Sequence, residues 1–341
     1  MPVTSRTVAL VNEAVCEQLG LLIGAQGIPQ DEEEITFDGF DKVETGNLLL
    51  FLVAICHQTS VPGRPPLEGI IDGRLVQGWD YLLQKFVAVA RRDKAVLEPA
   101  SWVTISAEQL RSLFRNSDGQ GLLGDIENRA ALIRDLGLVM AANGWSTIQQ
   151  IYDECKGQVD SGCPNLLETL SQFRSYSDPI RKKSFFLLSL MRNTGHWTYK
   201  DPEFLGAPVD YHEVRGHLRI GTVTVNDDTL KLKLLEHLPV TAEEDIALRG
   251  AVLEAIMWLS ERTGLHNPSK LHYMFWNVFR NYCTRVDPNC LGERRETNLP
   301  DRYRRLAIRH GSREACPFSN VCQSVNVENR MVEHVFDTDY Y

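Results

Sequence analysis

Four cysteines near the end of this sequence constrain its fold more than any other feature. Cys283 and Cys290 are separated by six residues, and Cys316 and Cys322 are separated by five. If the four thiolates share one metal centre, the two loops that carry them must meet, and each loop supplies two ligands. A mononuclear zinc ion or an iron–sulfur cluster would fit this spacing. The alternative is four unrelated buried thiols, because free cysteine is among the most buried residue types.

The composition favours a globular protein without a membrane segment. The chain has 341 residues, of which 43% are hydrophobic, enough for one large domain or two ordinary ones. No stretch approaches the ~20 apolar residues of a transmembrane helix, and the first residues lack the layout of a signal peptide. Eight cysteines without a secretion signal favour a reducing compartment, so we expect a cytoplasmic protein with free or metal-bound thiols.

Positive charge is concentrated in one segment, although the formal net charge of the chain is −9. An acidic protein is by itself a poor candidate for binding nucleic acid. Between Leu291 and Arg313, however, the sequence has seven arginines, Arg304 and Arg305 among them, and only three acidic residues. Such a segment can bind phosphates beside the cysteines. A solvated loop is the alternative.

Apolar residues recur at helical spacing through most of the chain, which predicts a mostly α fold with two helical lobes and a cleft. The run 47–56 is almost wholly apolar and long for a strand, which indicates a buried helix. Ser106 has the position of an N-cap. Only 221–225 alternates like a strand. Further helices are predicted over 125–143, 146–155, 164–175, 181–192 and 242–262.

These patterns divide the chain into four parts. We expect an N-terminal extension over 1–45, the two-lobed helical region over 46–282, the four-cysteine metal loop over 283–325 and a tail over 326–341.

A second candidate site lies in the stretch 206–221. Asp210 has the N-cap position of a predicted helix. The polar residues of that helix include His212, Arg215 and Arg219. Backbone N–H groups can hold a carboxylate rigid at this position while its second oxygen faces a cleft. The alternative is that Asp210 only caps the helix.

One motif resembles a known family. The run Val209-Asp-Tyr-His-Glu-Val-Arg, followed further on by the Cys-x6-Cys pair, resembles the helix-hairpin-helix DNA glycosylase superfamily, in particular endonuclease III and its iron–sulfur relatives. The resemblance implies that Asp210 is the catalytic aspartate and that the four cysteines bind a 4Fe–4S cluster, with zinc as the alternative. The run 48–59 is similar to the family's apolar helix, which makes Gln58 the candidate base contact. His212, Arg215, Arg219, Arg304 and Arg305 would contact substrate or DNA.

The sequence departs from that family at two places. The gap between Cys290 and Cys316 is longer than the family's middle gap, and the hairpin signature is replaced by Met191-Arg-Asn-Thr-Gly-His-Trp-Thr-Tyr-Lys200. No lysine is therefore securely placed for Schiff-base chemistry, and Lys200 is a weak candidate. We expect a monofunctional enzyme.

A second resemblance covers more of the chain. The order of elements over 47–280 is similar to the queuosine 5′-phosphate N-glycosidase (queuosine salvage) family. The runs that carry it are Gly78-Trp-Asp-Tyr81, Ile105-Ser-Ala-Glu-Gln-Leu-Arg111, Val209-Asp-Tyr211, Leu218-Arg-Ile-Gly221 and Glu243-Glu-Asp-Ile-Ala-Leu-Arg249.

Both families break an N-glycosidic bond. The departing base leaves positive charge on the sugar, which a fixed carboxylate such as Asp210 stabilises while it orients or deprotonates water. A base in duplex DNA must first be flipped out and held between aromatic rings. Trp197, Tyr211 and Trp276 are candidate walls, with burial in the core as the alternative.

The leading hypothesis is thus a DNA glycosylase that excises a damaged or bulky modified base and leaves an abasic site, in repair or in defence against modified phage DNA. The first alternative is a nucleotide N-glycosidase that salvages a deazaguanine base from a free nucleoside 5′-monophosphate. The second is a non-catalytic nucleic-acid-binding protein.

Overall fold

The computed structural model describes residues 8–27, 35–60, 65–116, 119, 121–264, 267–292, 301–304, 306–310 and 313–341. None of the helices in these ranges is both long enough and apolar enough to cross a membrane. The elements in chain order are β1 (Ala9–Val11), α1 (Glu13–Gln26), α2 (Lys42–Ala54), β2 (Glu68–Ile71), β3 (Arg74–Gln77), α3 (Gly78–Arg92), α4 (Pro99–Trp102), α5 (Ala107–Phe114), α6 (Ile126–Ala142), α7 (Ile148–Glu154), α8 (Leu166–Leu170), α9 (Lys182–Asn193), α10 (Tyr211–Ile220), β4 (Val223–Val225), α11 (Asp228–Glu236), α12 (Ala242–Arg262), α13 (Pro268–Asn281), α14 (Asp301–Arg304), β5 (Ile308–His310) and β6 (Arg313–Ala315).

The described part of the chain is mostly helical, as the apolar spacing predicts. Its strands form three antiparallel ribbons, β1–β4, β2–β3 and β5–β6. The strand predicted at 221–225 is confirmed as β4, and it pairs with β1 so that Leu10 lies opposite Thr224. Strands of three or four residues show too little alternation to be predicted, and for that reason the other five are additions to the predicted fold.

Two compact units divide the chain. The first unit combines Met1–Glu32 with Leu205–Asp337, and the second unit combines Glu33–Phe204 with Thr338–Tyr341. This division differs from the predicted bounds, because most of the predicted N-terminal extension belongs to the same unit as the cysteine loop.

Helix α12 is the main packing partner in the first unit, where it contacts α1, α10, α13 and β1. Helices α10 and α13 come together at Gly216. A Cβ atom at this position would lie 2.2 Å from the ring of Phe279, closer than van der Waals contact allows. The absence of a side chain at Gly216 therefore sets the distance between these two helices.

The buried helix predicted at 47–56 is confirmed in the second unit as α2, whose residues from Thr45 to Ala54 are all buried. Asp41 and Glu44 form a reciprocal capping box at its start. Asn47 is a buried polar residue of this helix. Its side chain donates to the carbonyl of Leu97 at 3.1 Å and accepts from the amide of Ile148 at 3.0 Å, so it is satisfied in the core.

Candidate functional site

Asp210 begins α10 as its N-cap, as predicted. Its Oδ1 accepts hydrogen bonds from the amides of His212, at 2.8 Å, and Glu213, at 3.3 Å. The pairing is reciprocal, because the carboxylate of Glu213 accepts a hydrogen bond from the backbone N–H of Asp210 at 3.3 Å. This capping box satisfies amides that the first turn of a helix would otherwise leave unpaired. One oxygen of Asp210 is therefore used to start the helix.

The second oxygen of Asp210 also has a partner. The indole Nε1 of Trp276, on α13, donates to Oδ2 at 3.0 Å. Both oxygens are thus fixed, and the half-buried carboxylate is held in one orientation. A carboxylate oxygen can accept more than one hydrogen bond, so Oδ1 and Oδ2 keep acceptor capacity for water or a substrate.

His212 lies next to this carboxylate as a neutral imidazole. Its ring packs against the ring of Tyr211 at 4.2 Å between centroids, and its Nδ1 lies 2.8 Å from a guanidinium nitrogen of Arg215. Burial lowers the pKa of His212 well below its usual range, and the charge of Arg215 lowers it further. Since arginine can only donate, Nδ1 accepts this bond and the proton of the neutral ring lies on Nε2. His212 is therefore a neutral ring with one N–H donor in the first turn of α10.

Arg215 is buried and bonded to other parts of the first unit. It donates to the carbonyl of Cys283 at 2.5 Å and pairs with Glu333 at 2.9 Å. Glu333 also binds Arg285. Burial by itself would raise the pKa of Glu333, but the two guanidinium groups outweigh it and lower that pKa to about 2. This network ties α10 to the segment that carries the first cysteine pair.

Arg219 has a similar position one turn later on α10. Its guanidinium donates to the carbonyls of Thr284 at 2.7 Å, Arg285 at 3.0 Å and Met331 at 2.8 Å. Its own carbonyl accepts from the thiol of Cys322 at 3.2 Å. Arg215 and Arg219 were predicted to contact substrate. The structure instead gives both guanidinium groups partners inside the protein, where they hold the cysteine-bearing segments against α10.

The four predicted metal ligands line one pocket. The other lining residues are Arg219, Ile220, Phe279, Tyr282, Phe318, Ser319, Ser324, Val325 and Arg330. Burial raises the pKa of the Cys316 thiol well above its usual range, and the neighbouring sulfurs of Cys283, Cys322 and Cys290 add to that rise. If all four thiols lost their protons, their negative charges would repel one another, which favours a bound cation that offsets part of this charge.

The separation of the thiols distinguishes between kinds of metal centre. Two thiolates on one zinc ion lie at most about 4.6 Å apart, since each Zn–S bond is about 2.3 Å. Within the described ranges, one group has three ligand atoms that all lie within 4.8 Å of one another. It consists of His57, Asp125 and Asp339 and includes no cysteine. No three of the four cysteine sulfurs therefore all lie within 4.8 Å of one another in these ranges, so a single zinc ion would require them to move closer.

The remaining predicted site residues lie elsewhere. Trp197, in the second unit, is 1% exposed, and its indole donates to Gln149 at 3.0 Å, so it belongs to the core and forms no wall of a site. Gln58 is in the second unit as well, with a positive φ of 44°, and its backbone N–H donates to the carbonyl of Tyr341 at 3.0 Å. Arg304 is exposed on α14, and Arg305 lies outside the described residues.

Sequence reasoning missed a buried amine in the second unit. Lys183, on α9, is fully buried, and its Nζ contacts the carbonyl of Ala54 and lies 3.2 Å from Nδ1 of His57. Burial lowers the pKa of Lys183 to about 7, and the nearby charges of Lys182 and Arg129 contribute to this lowering. A lysine with such a pKa is partly unprotonated at neutral pH, and with 0% exposure its amine has no access to solvent.

The carboxylates of Asp125 and Asp339, which lie near Lys183, have several cations close to them. Asp339 pairs with Arg174 at 2.9 Å, and its carboxylate lies 3.9 Å from Nε2 of His57. Together with Asp125 these ligand atoms are close enough for a metal ion. Three cations, those of Arg174, Lys182 and Arg129, already offset the two carboxylates, so this cluster is an internal charge network.

Neither a model of a known protein family nor a curated protein sequence matches this chain.

Replacing Lys183 by methionine tests the burial of this amine. A lysine in an unfolded chain has a pKa near 10.4, whereas Lys183 has a pKa of about 7 in the folded protein. Between these values the unfolded chain binds more protons, so the stability of the wild type rises with pH, by up to about 1.4 kcal/mol per unit. We expect Lys183→Met to be more stable than the wild type at pH 7, with a difference that shrinks towards pH 10. Urea unfolding at several pH values measures this, and exposed Lys200→Met is the control. A constant difference would contradict the prediction.

Proposed function

We propose that this protein is an N-glycosidase, and specifically a DNA glycosylase that removes a damaged or bulky modified base and leaves an abasic site. One observation carries the proposal: a single helix, α10, begins at a carboxylate held by two sets of donors and continues into the wall of a four-thiol pocket. A fixed carboxylate is the group that stabilises the positive charge on a sugar as its base departs.

In the proposed reaction, the bond between the base and C1′ breaks and its electron pair leaves with the base, which then takes up a proton. Asp210 stabilises the positive charge that develops on the sugar. A water molecule adds to C1′ and gives up a proton, for which Asp210 is the base. His212, whose Nδ1 accepts from Arg215, would supply its Nε2–H as a donor to an acceptor oxygen or ring nitrogen of the substrate.

Cys283, Cys290, Cys316 and Cys322 would hold a 4Fe–4S cluster. All four line one pocket, which supports a shared centre, with zinc as the alternative metal. When bound, the cluster would offset part of the negative charge of the thiolates and stabilise the loops that hold them. Arg219 would support it, because one of its guanidinium nitrogens lies 3.5 Å from the sulfur of Cys283.

Duplex DNA is the proposed partner because of the arginines that follow Cys290 in the sequence. Excision of modified bases would serve repair, or defence against phage DNA that carries them. The alternative substrate is a free nucleoside 5′-monophosphate with a deazaguanine base, which the net charge of −9 favours.

The cofactor is tested by replacing one ligand. Cys316→Ser should lose most of the bound iron and should unfold more readily in the first unit, because ligation is coupled to local folding. Iron and zinc content and the broad absorbance of the purified protein measure this, and Cys16→Ser, a buried thiol of the same unit outside the pocket, is the control. Full metal occupancy in Cys316→Ser would disprove the ligand assignment.

The reaction is tested at Asp210. Asp210→Asn keeps part of the cap and removes the charge, so we expect an intact fold, unchanged substrate binding and a rate lowered roughly 10²- to 10⁴-fold. The assay is mass-spectrometric detection of released bases from DNAs that carry oxidised, alkylated or hypermodified bases, with nucleoside 5′-monophosphates in parallel. Release of the base from the monophosphates but not from DNA would show that the substrate is a free nucleotide and not DNA. Equal turnover in wild type and Asp210→Asn would return Asp210 to the role of a helix cap.

Borohydride tests whether the enzyme is monofunctional. A monofunctional enzyme leaves an abasic site that is cut only after alkali or heat, and borohydride then traps no covalent complex. A trapped complex between the protein and DNA would contradict this prediction, and loss of that complex in Lys200→Gln would identify Lys200 as the nucleophile.

A further inference from the structure

We infer that Trp276 is the positioning residue for Asp210, and that its indole N–H aims the carboxylate at the charge that develops on the sugar. This inference rests on the proposed function. The interaction that carries it joins two helices of the first unit, since Nε1 of Trp276 on α13 donates to Oδ2 of Asp210 at 3.0 Å.

The bond from Trp276 controls a motion that the helix cap leaves free. The amides of His212 and Glu213 both bind Oδ1, so the cap fixes one oxygen only. The carboxylate could still rotate about its terminal torsion, which has a broad profile in aspartate. A donor on Oδ2 removes this freedom and fixes the plane of the carboxylate. Preorganisation of this kind is a large part of how a charged group stabilises a transition state.

The ring of Trp276 is itself held in place. The guanidinium of Arg280, one turn further along α13, lies over the indole at 4.8 Å from the ring centre. The ring of His212 meets the indole at 6.3 Å with an angle of 88° between the planes. One face of the indole is therefore covered by a cation, which leaves less of the ring for stacking with a flipped base. This favours the positioning role over the predicted role as a wall.

The indole is also chemically suited to the role. Trp Nε1 is a donor only and does not titrate, so it donates to the carboxylate at every working pH. A serine or histidine at this position could reverse its direction or change its charge. The half-buried location of Trp276 strengthens the bond, because the partners compete less with water.

The test uses duplex DNA in which a pyrrolidine or a tetrahydrofuran replaces one sugar. The protonated pyrrolidine carries the positive charge of the transition state and the tetrahydrofuran is neutral. The wild type should prefer the charged duplex, and Asp210→Asn should lose that preference. Trp276→Phe, and a variant with benzothienylalanine at position 276, should lower the preference at least about tenfold without weakening binding of the neutral duplex. Benzothienylalanine retains the ring and the contact with Arg280 but lacks the N–H group.

The outcomes separate the two proposals. If the wild type shows no preference for the charged duplex, the proposed function fails and the role of Trp276 fails with it. If Asp210→Asn loses the preference while both Trp276 variants keep it, the positioning role is wrong and the proposed function stands. In the Asp210→Asn background the Trp276 variants should have no further effect, and an independent loss there would also overturn the inference.

The hydrogen bond can be measured in the folded wild type even if a Trp276 variant does not fold. Labelling the six tryptophans with ¹⁵N gives six indole resonances. The resonance of Trp276 should shift on Asp210→Asn. It can be assigned by its absence in the benzothienylalanine variant, or by sequential connectivity if that variant does not fold. An indole resonance of Trp276 that does not respond to Asp210→Asn would contradict the bond.

Discussion

The packing of Gly216 against Phe279 is the contact on which the rest of the first unit depends. It sets the separation of α10 and α13, and a Cβ atom at Gly216 would force these helices apart. At one end of this contact Trp276 reaches Asp210, and at the other α13 runs directly into the segment of Cys283. The carboxylate and the thiol pocket are therefore positioned by one helix pair.

Charged groups inside the first unit serve this arrangement. Arg215 and Arg219 lie four residues apart on the same side of α10 and bind carbonyl groups of the segments that carry the thiols. Buried guanidinium groups need several acceptors, and a loop without regular secondary structure has unpaired carbonyls to offer. The arginines and the loop thus satisfy each other, which explains how an irregular segment of this kind is held in one conformation.

Sequence patterns over a few neighbouring residues predicted part of the site, but they could not predict contacts between residues far apart in the chain. The N-cap role of Asp210 follows from residues two and three positions away, and the buried helix α2 follows from its composition. The bond from Trp276 joins residues 66 positions apart, so no local pattern contains it. Lys183 did leave a signal, because it falls in register with buried Leu187 and Leu190 on one face of α9. A lysine on an apolar helix face indicates either that the helix is wrongly predicted or that the pKa of the lysine is shifted. The pKa of Lys183 is shifted.

The pairing of β1 with β4 has a consequence for how the chain folds during synthesis. Ala9 lies opposite Val225, so the first unit cannot close until more than two hundred residues have been made. The second unit is almost entirely contiguous in sequence and can form in the meantime. Until α12 is made, the apolar face of α1, with Leu19 and Ile23, lacks its main partner in the described part of its own unit. Full burial of this face must therefore wait for synthesis of α12.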